Sequence, residues 1–230
     1  MNAAPEGLEA YADRLRDELG ASEAEAYAAV NDDGLFALVE VWPSQAQYAE
    51  HWASAVANPK EDWLLGQLHD AANDMSPSEF YMVEPFGPGA AWTATAIGAQ
   101  KSAIVWPGRG AVRVVLQIGL TDSAQLRANL VADQMLTRRE PGCLQYQWLR
   151  SVDVAEHFLL LELWENQFVY DKHWSLRTKT GSAGGEMPMV ERKRGTGGIE
   201  FYRQQEFTHL YDRWLPADVR SWSETVVWGS

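Results

Sequence analysis

Tyr170, His173 and Trp174 stand at i, i+3 and i+4, the spacing that puts three side chains on one face of a helix. An imidazole beside a phenol is suited to moving protons near neutral pH. Just ahead lies "FLLLELW" (158–164), which alternates as a strand does. Phe158, Leu160, Glu162 and Trp164 share one side, and Leu159, Leu161 and Leu163 take the other. A carboxylate on the first side is either hydrogen-bonded to a neighbour or poised with a raised pKa. The same residue types occur 122 positions earlier: Phe36, Leu38, Glu40 and Trp42, then Tyr48, His51 and Trp52. Core packing alone does not require a Tyr and a His twice, since Leu and Phe would pack as well.

Other chemistries are poorly supplied. The five His residues are scattered, and no HExxH, G-x-S-x-G or P-loop spacing occurs, so neither a metal nor a bound cofactor is expected. The single Cys143, in "EPGCLQY", reads as a small buried residue after a turn and excludes an internal disulfide. Eleven Trp, eight Tyr and seven Phe supply large apolar surfaces, and Trp and Tyr also carry polar handles, a combination fit for flat organic ligands.

The elements that must position these residues come in two rounds. Over 36–52 against 158–174, eight of seventeen positions are identical, and the register extends to Gly20/Gly142, Trp92/Trp214 and Trp106/Trp228. "EFY" recurs at 79–81 and 200–202 with a one-residue slip. A maintained offset implies two tandem copies of one domain, assigned to 1–108 and 109–230. Each round predicts a helix (7–19; 123–138), a strand (25–30; 144–149), the strand ending in Trp42 or Trp164, a further helix, and a last strand near "EFY". Ser44 with Gln47 has capping-box spacing at the second helix of the first round. The second round opens with an additional strand, "AVRVVLQIGL" (111–120), whose counterpart would precede Met1. The segments 85–108 and 207–230 read as extended arms.

Net charge is −13, which argues against nucleic acid as a partner, because binding there neutralises phosphates. Residues 1–108 hold 17 acidic and 4 basic side chains, whereas residues 109–230 hold 15 of each. The chain has no apolar run long enough to span a bilayer, and its N-terminus is acidic and amphipathic. A soluble cytoplasmic protein is expected, either a monomer whose halves act as a pseudo-dimer or a homodimer.

The string "RREPGCLQYQWLRSVDVAEHFLLLELWENQFVYDKHW" (138–174) resembles the antibiotic biosynthesis monooxygenase family, with a fainter echo in register across 7–86. The resemblance implies an α+β fold: two ferredoxin-like repeats forming an intramolecular dimeric α+β barrel, with antiparallel sheets face to face and helices outside. Members acting on polyketides are similar to anthrone oxygenases, which oxidise a polyphenol to a quinone with O2 and no bound cofactor. In that subgroup the Trp at the strand end and a Tyr six residues on line the pocket, matching Trp164 and Tyr170, and Trp42 and Tyr48. The Asn expected four residues before the Trp is replaced by Leu160 and Leu38, which moves the base role to His173 or Glu162. In a haem-degrading branch a His follows the Trp by ten residues; here His173 and His51 follow by nine, so the iron-ligand geometry does not carry over.

The reading implied is a cofactor-independent monooxygenase acting on a polycyclic aromatic polyketide and O2, with its working site in the second copy. Trp164 stacks on the substrate, Tyr170 donates to a carbonyl or oxyanion, His173 takes the proton and Glu162 orients it. Leu160, Trp148 and Trp174, with Trp42, Tyr48 and His51, complete the substrate-binding set. A polyketide cyclase of the same barrel type, or a polyphenol-binding protein without turnover, would use the same pocket.

Overall fold

The computed structural model describes residues 7–31, 34–58, 93–96, 102–105, 111–180, 187–195, 198–203, 207–210 and 213–216. The boundary at 108/109, Trp92, Trp106, Trp228, the "EFY" at 79–81 and the side chain of Trp52 lie outside the described residues.

The first half runs α1 (Leu8–Asp17), β1 (Glu23–Ala29), β2 (Phe36–Val41) and α2 (Gln45–Ala57). Helix α1 forms because Leu8, Tyr11, Ala12 and Leu15 recur at helical spacing and bury together. After the short strands β3 (Thr93–Ala96) and β4 (Ser102–Val105) comes β5 (Val112–Gly119). Next are α3 (Ala124–Thr137), β6 (Cys143–Ser151), β7 (His157–Trp164), α4 (Gln167–Thr180) and β8 (Gly198–Arg203). The arm segments with described residues are antiparallel hairpins, β3 with β4 and β9 (Phe207–Leu210) with β10 (Arg213–Pro216).

The six longer strands make one antiparallel sheet in the order β2-β1-β6-β7-β5-β8. Its last four are the ferredoxin-like arrangement, with β5 between β7 and β8. Where two sheets packed face to face were expected, the strands form one continuous sheet. The halves join edge to edge, Tyr27, Ala28 and Ala29 of β1 opposing Ser151, Arg150 and Leu149 of β6. Each of these strands would otherwise be an edge with unpaired amides and carbonyls, and pairing satisfies both.

The sheet is strongly curled. The Gln117 amide on β5 donates to the Tyr27 hydroxyl on β1 at 3.0 Å, across two intervening strands that would hold them about 14 Å apart in a flat sheet. Curling brings the inner faces together: Tyr27, Leu149 and Leu159 form one cluster, with Ala37, Val39, Val115 and Leu161 against it. The outer face carries the helices. There Val112, Val114, Trp148, Phe158, Leu160 and Trp164 pack with Leu126 and Leu130 of α3 and Tyr170 of α4.

Two glycines permit close approaches. A Cβ on Gly142, which has φ of 81°, would lie 2.6 Å from the Val169 side chain of α4. One on Gly119 would lie 2.3 Å from the Val190 carbonyl oxygen, where the segment 187–195 crosses the end of β5.

Candidate functional site

Strand β7 ends under α4, so Trp164 on the outer face of the sheet meets the inward stripe of that helix. The Asn166 side chain starts the helix by accepting the Val169 amide at 3.1 Å, which satisfies one donor of the first turn. Trp164 is fully buried, and Glu162, Tyr170 and His173 are nearly so. The His173 ring lies 4.5 Å from Trp164 between centroids, and Tyr170 meets Trp164 edge-on at 6.3 Å. Trp164 Nε1 donates to Glu162 Oε2 at 2.7 Å. The structure thus brings four of the expected residues into one cluster.

Burial drives the chemistry of these groups. It pushes the Glu162 carboxyl up to about 7, against the lowering effect of the Trp164 hydrogen bond, and Asp133 adds to the rise. Burial also lowers His173, opposed by its bond to Glu140, and raises the Tyr170 phenol well above its ordinary value, helped by the Glu162 charge. At neutral pH His173 is neutral and Tyr170 is a hydrogen-bond donor. Cys143 is pushed up to about 11, first by burial and then by Glu162 and Glu140, so its thiol is no nucleophile.

Sequence reasoning missed the groups around the cluster. His173 Nδ1 lies 2.8 Å from Glu140 Oε2, so the carboxylate bonded to His173 is Glu140 and not Glu162. A carboxylate accepts, which places the proton on Nδ1 and leaves Nε2 as an acceptor. Arg177 joins Glu140 at 3.3 Å to Asp133 at 2.9 Å and also bonds Thr137. The Tyr146 hydroxyl donates to Asp133 at 3.0 Å. The readable sign was on α3: the buried stripe Leu126, Leu130, Asp133, Gln134, Thr137 turns polar halfway along.

Of three other expected residues, two share the core of the cluster and one lies outside it. Trp148 and Leu160 are buried in the same core, and Trp148 lies against α3, which offers Gln134 Oε1 to its backbone amide at 2.8 Å. Trp174 is 47% exposed and not part of the cluster. The buried stripe of α4 runs through Val169, Tyr170, His173 and Arg177, and Trp174 is roughly 90° from its centre.

Trp42, Tyr48 and His51 assemble in the first half with matching geometry. Trp42 Nε1 donates to Glu40 at 2.8 Å, and Trp42 stacks on His51 at 5.0 Å and meets Tyr48 edge-on at 5.8 Å. These rings are only half-buried. Among the described residues no group of three His, Cys, Asp or Glu could hold a metal ion, and no helix is long and apolar enough to cross a membrane.

No protein of curated function matches the chain. Several solved structures resemble part of the chain. A protein of Caulobacter crescentus provisionally described as an antibiotic biosynthesis monooxygenase is 25% identical, with 43% of this chain and 92% of that one covered and a TM-score of 0.35. Rv0793 of Mycobacterium tuberculosis is 22% identical over 40% of this chain and 91% of that one, with a TM-score of 0.31. The family model described as antibiotic biosynthesis monooxygenase matches residues 121–177, which span α3 to α4 and hold Glu162, Trp164, Tyr170 and His173. Over these residues the chain carries a domain of the antibiotic biosynthesis monooxygenase family.

Proposed function

We propose that the chain is a monooxygenase that oxidises an acidic polycyclic aromatic, of the polyphenol or anthrone type, with O2 and without a bound cofactor. The observation that carries this reading is the His173–Glu140 bond beside Trp164. It fixes the neutral tautomer whose Nε2 accepts a proton, with the imidazole 4.5 Å from the Trp164 indole between centroids.

His173 Nε2 takes the proton from the ring carbon or phenol, and Tyr170, held protonated, donates to the oxygen on which negative charge gathers. The substrate anion passes one electron to O2, and the resulting radical pair combines to a peroxide anion, which takes the proton back from His173 and becomes a hydroperoxide. Loss of water from it leaves a carbonyl, so one oxygen atom enters the product and the other leaves as water. Glu162 holds the indole edge and keeps Trp164 in place. Because the rings of Trp164, Tyr170 and His173 touch and are buried, a substrate reaches Trp164 only when α4 moves off the sheet.

The test is oxygen uptake by the full chain with a hydroxylated anthrone as probe. The expected result is one O2 consumed per quinone formed, above the spontaneous rate. Ring closure of a polyketide probe without O2 would reassign the site to cyclase chemistry. Tight binding of the probe with neither outcome would make it a binding protein.

A further inference from the structure

Strand pairing is not all that joins the two halves. The segment 187–195 works as a strap between them. Two backbone bonds fix its start at the end of β5: the Thr121 amide donates to the Pro188 carbonyl at 2.8 Å, and the Val190 amide to the Gly119 carbonyl at 3.0 Å. Further on it meets the first half. Arg192 Nη2 donates to Glu25 Oε2 of β1 at 2.8 Å, and Arg194 bonds Asp153 and lies 3.6 Å from Glu25 Oε1. Between the two arginines, the Lys193 amide donates to His157 Nε2 at 2.9 Å.

His157, at the start of β7, is fully buried and touches the first half as well as the strap. Its Nδ1 lies 2.8 Å from Glu25 Oε1, and Glu25 also accepts from the Tyr27 hydroxyl at 2.7 Å. Against its burial, the bonds from Ser151, Tyr27 and His157 hold the Glu25 carboxyl below the ordinary carboxylate value. An ionised Glu25 only accepts, so the His157 proton sits on Nδ1 and Nε2 offers the lone pair that the Lys193 amide needs. Only the neutral imidazole satisfies both partners.

A second proton breaks this arrangement. Imidazolium donates at both nitrogens, and its Nε2–H would point at the Lys193 N–H from 2.9 Å. The other carboxylates nearby are engaged: Glu156 accepts from Lys193 Nζ at 2.9 Å, and Asp153 from Arg194 and Ser151. On the flanking strands, β5 opposes His157 with Gly119, and Arg150 of β6 bonds Asp122 and the Ala155 carbonyl. Burial lowers His157 below the ordinary histidine value; Glu25 opposes the fall and Arg192 and Arg194 add to it. We propose that His157 is a proton-operated catch: neutral, it locks the strap across the seam, and protonated, it expels the Lys193 amide, so that Arg192 and Arg194 draw away from Glu25 and the seam loosens. The folded form binds this proton more weakly than the unfolded chain does, so the lock is complete at neutral pH and is lost as pH falls below the ordinary histidine value.

Hydrogen exchange of the full chain, read by mass spectrometry and corrected for the intrinsic pH dependence of exchange, tests the catch. From about pH 7.5 to about pH 5, peptides covering 187–195 and 23–30 should lose about tenfold or more of their protection, while those from the β5–β7 pairing keep theirs. His157→Gln offers Lys193 an acceptor that does not titrate, and should hold its protection at both pH values. Should that variant not fold, nitrogen-15 NMR of the imidazole rings in the wild-type chain gives the second readout. His157 should pass from the Nδ1–H tautomer to imidazolium at the pH where the strap loses protection. An equal loss in His157→Gln overturns the catch. So does a strap that stays protected after the ring has taken its proton, or unfolding of the whole chain before the ring titrates.

Discussion

The two Trp-Tyr-His sets differ in their surroundings far more than in themselves. Indole-to-carboxylate distances are 2.7 and 2.8 Å, and the tyrosine and histidine rings are 6.4 Å apart in both. Yet the set at Trp164 is buried and that at Trp42 is half-buried. Where α3, β6 and α4 supply Asp133, Tyr146, Trp148 and Arg177, the positions 122 residues earlier hold Tyr11, Ala24, Ala26 and Ala55. Strand β7 is flanked by β5 and β6, whereas β2 is the outer strand of the sheet. A strand end followed by a helix is enough to set ring against ring. Burial and charge, which decide whether the rings can do proton chemistry, come from residues remote in sequence.

The comparison breaks most sharply at Arg177. Arg177→Ala gives the second set what the first has at Ala55, but leaves Asp133 and Glu140 without their cation. We expect a loss of about 3 kcal/mol or more in urea unfolding. An unchanged midpoint would mean that the two surroundings are energetically alike.

Glu162 gives the second contrast. Its folded pKa, about 7, is above the ordinary 4.5, so the folded chain keeps a proton that the unfolded chain has already released. Stability from this group is complete below pH 4.5 and is lost as pH rises through 7, by about 3 kcal/mol at most. His173 works the other way: its pKa is lowered, so the folded chain loses stability as pH falls below the ordinary histidine value. Glu162→Gln can still accept the Trp164 bond and should be more stable than wild type at pH 8 but not at pH 4. Parallel pH profiles for the two proteins would remove Glu162 from the account.

Activity sharpens the comparison further. With the anthrone probe, His173→Ala should lower turnover about 100-fold, as the loss of a positioned base does. His51→Ala should lower it only as far as it destabilises the fold, checked by circular dichroism. The reverse pattern would move the site to the half-buried set. The smallest effects belong to the helix starts that the two halves share. Ser44 accepts the Gln47 amide at 3.3 Å and Asn166 the Val169 amide at 3.1 Å. Replacing either by Ala should cost about 1 kcal/mol, with Ser44 the lesser. A cost at Ser44 well above that at Asn166 would show that the exposed helix matters more to its half.

What was legible in the sequence was local. Alternation in "FLLLELW" assigned its two faces correctly, and helical spacing brought Tyr170 and His173 together under Trp164. Trp174 was placed wrongly because i+4 spacing defines a side of a helix and not how far the sheet beneath it reaches. Glu140 is 33 residues from the His173 it holds, and Glu25 is 132 from His157; no periodicity carries such pairings. The joining of β1 to β6 was equally hidden, since three residue pairs leave no pattern in either strand.

Those three rungs have a consequence for how the chain reaches its structure. The α–β–β–α run of residues 124–180 is assembled from neighbours in sequence, whereas pairing Tyr27 with Ser151 closes a loop of more than a hundred residues. Loop closure of that length carries an entropic cost that three residue pairs and the Glu25 cluster must together exceed. We therefore expect the seam to form last and to open first. The amides of β1 that face β6 should exchange with solvent ahead of those between β5 and β7, although both belong to one sheet.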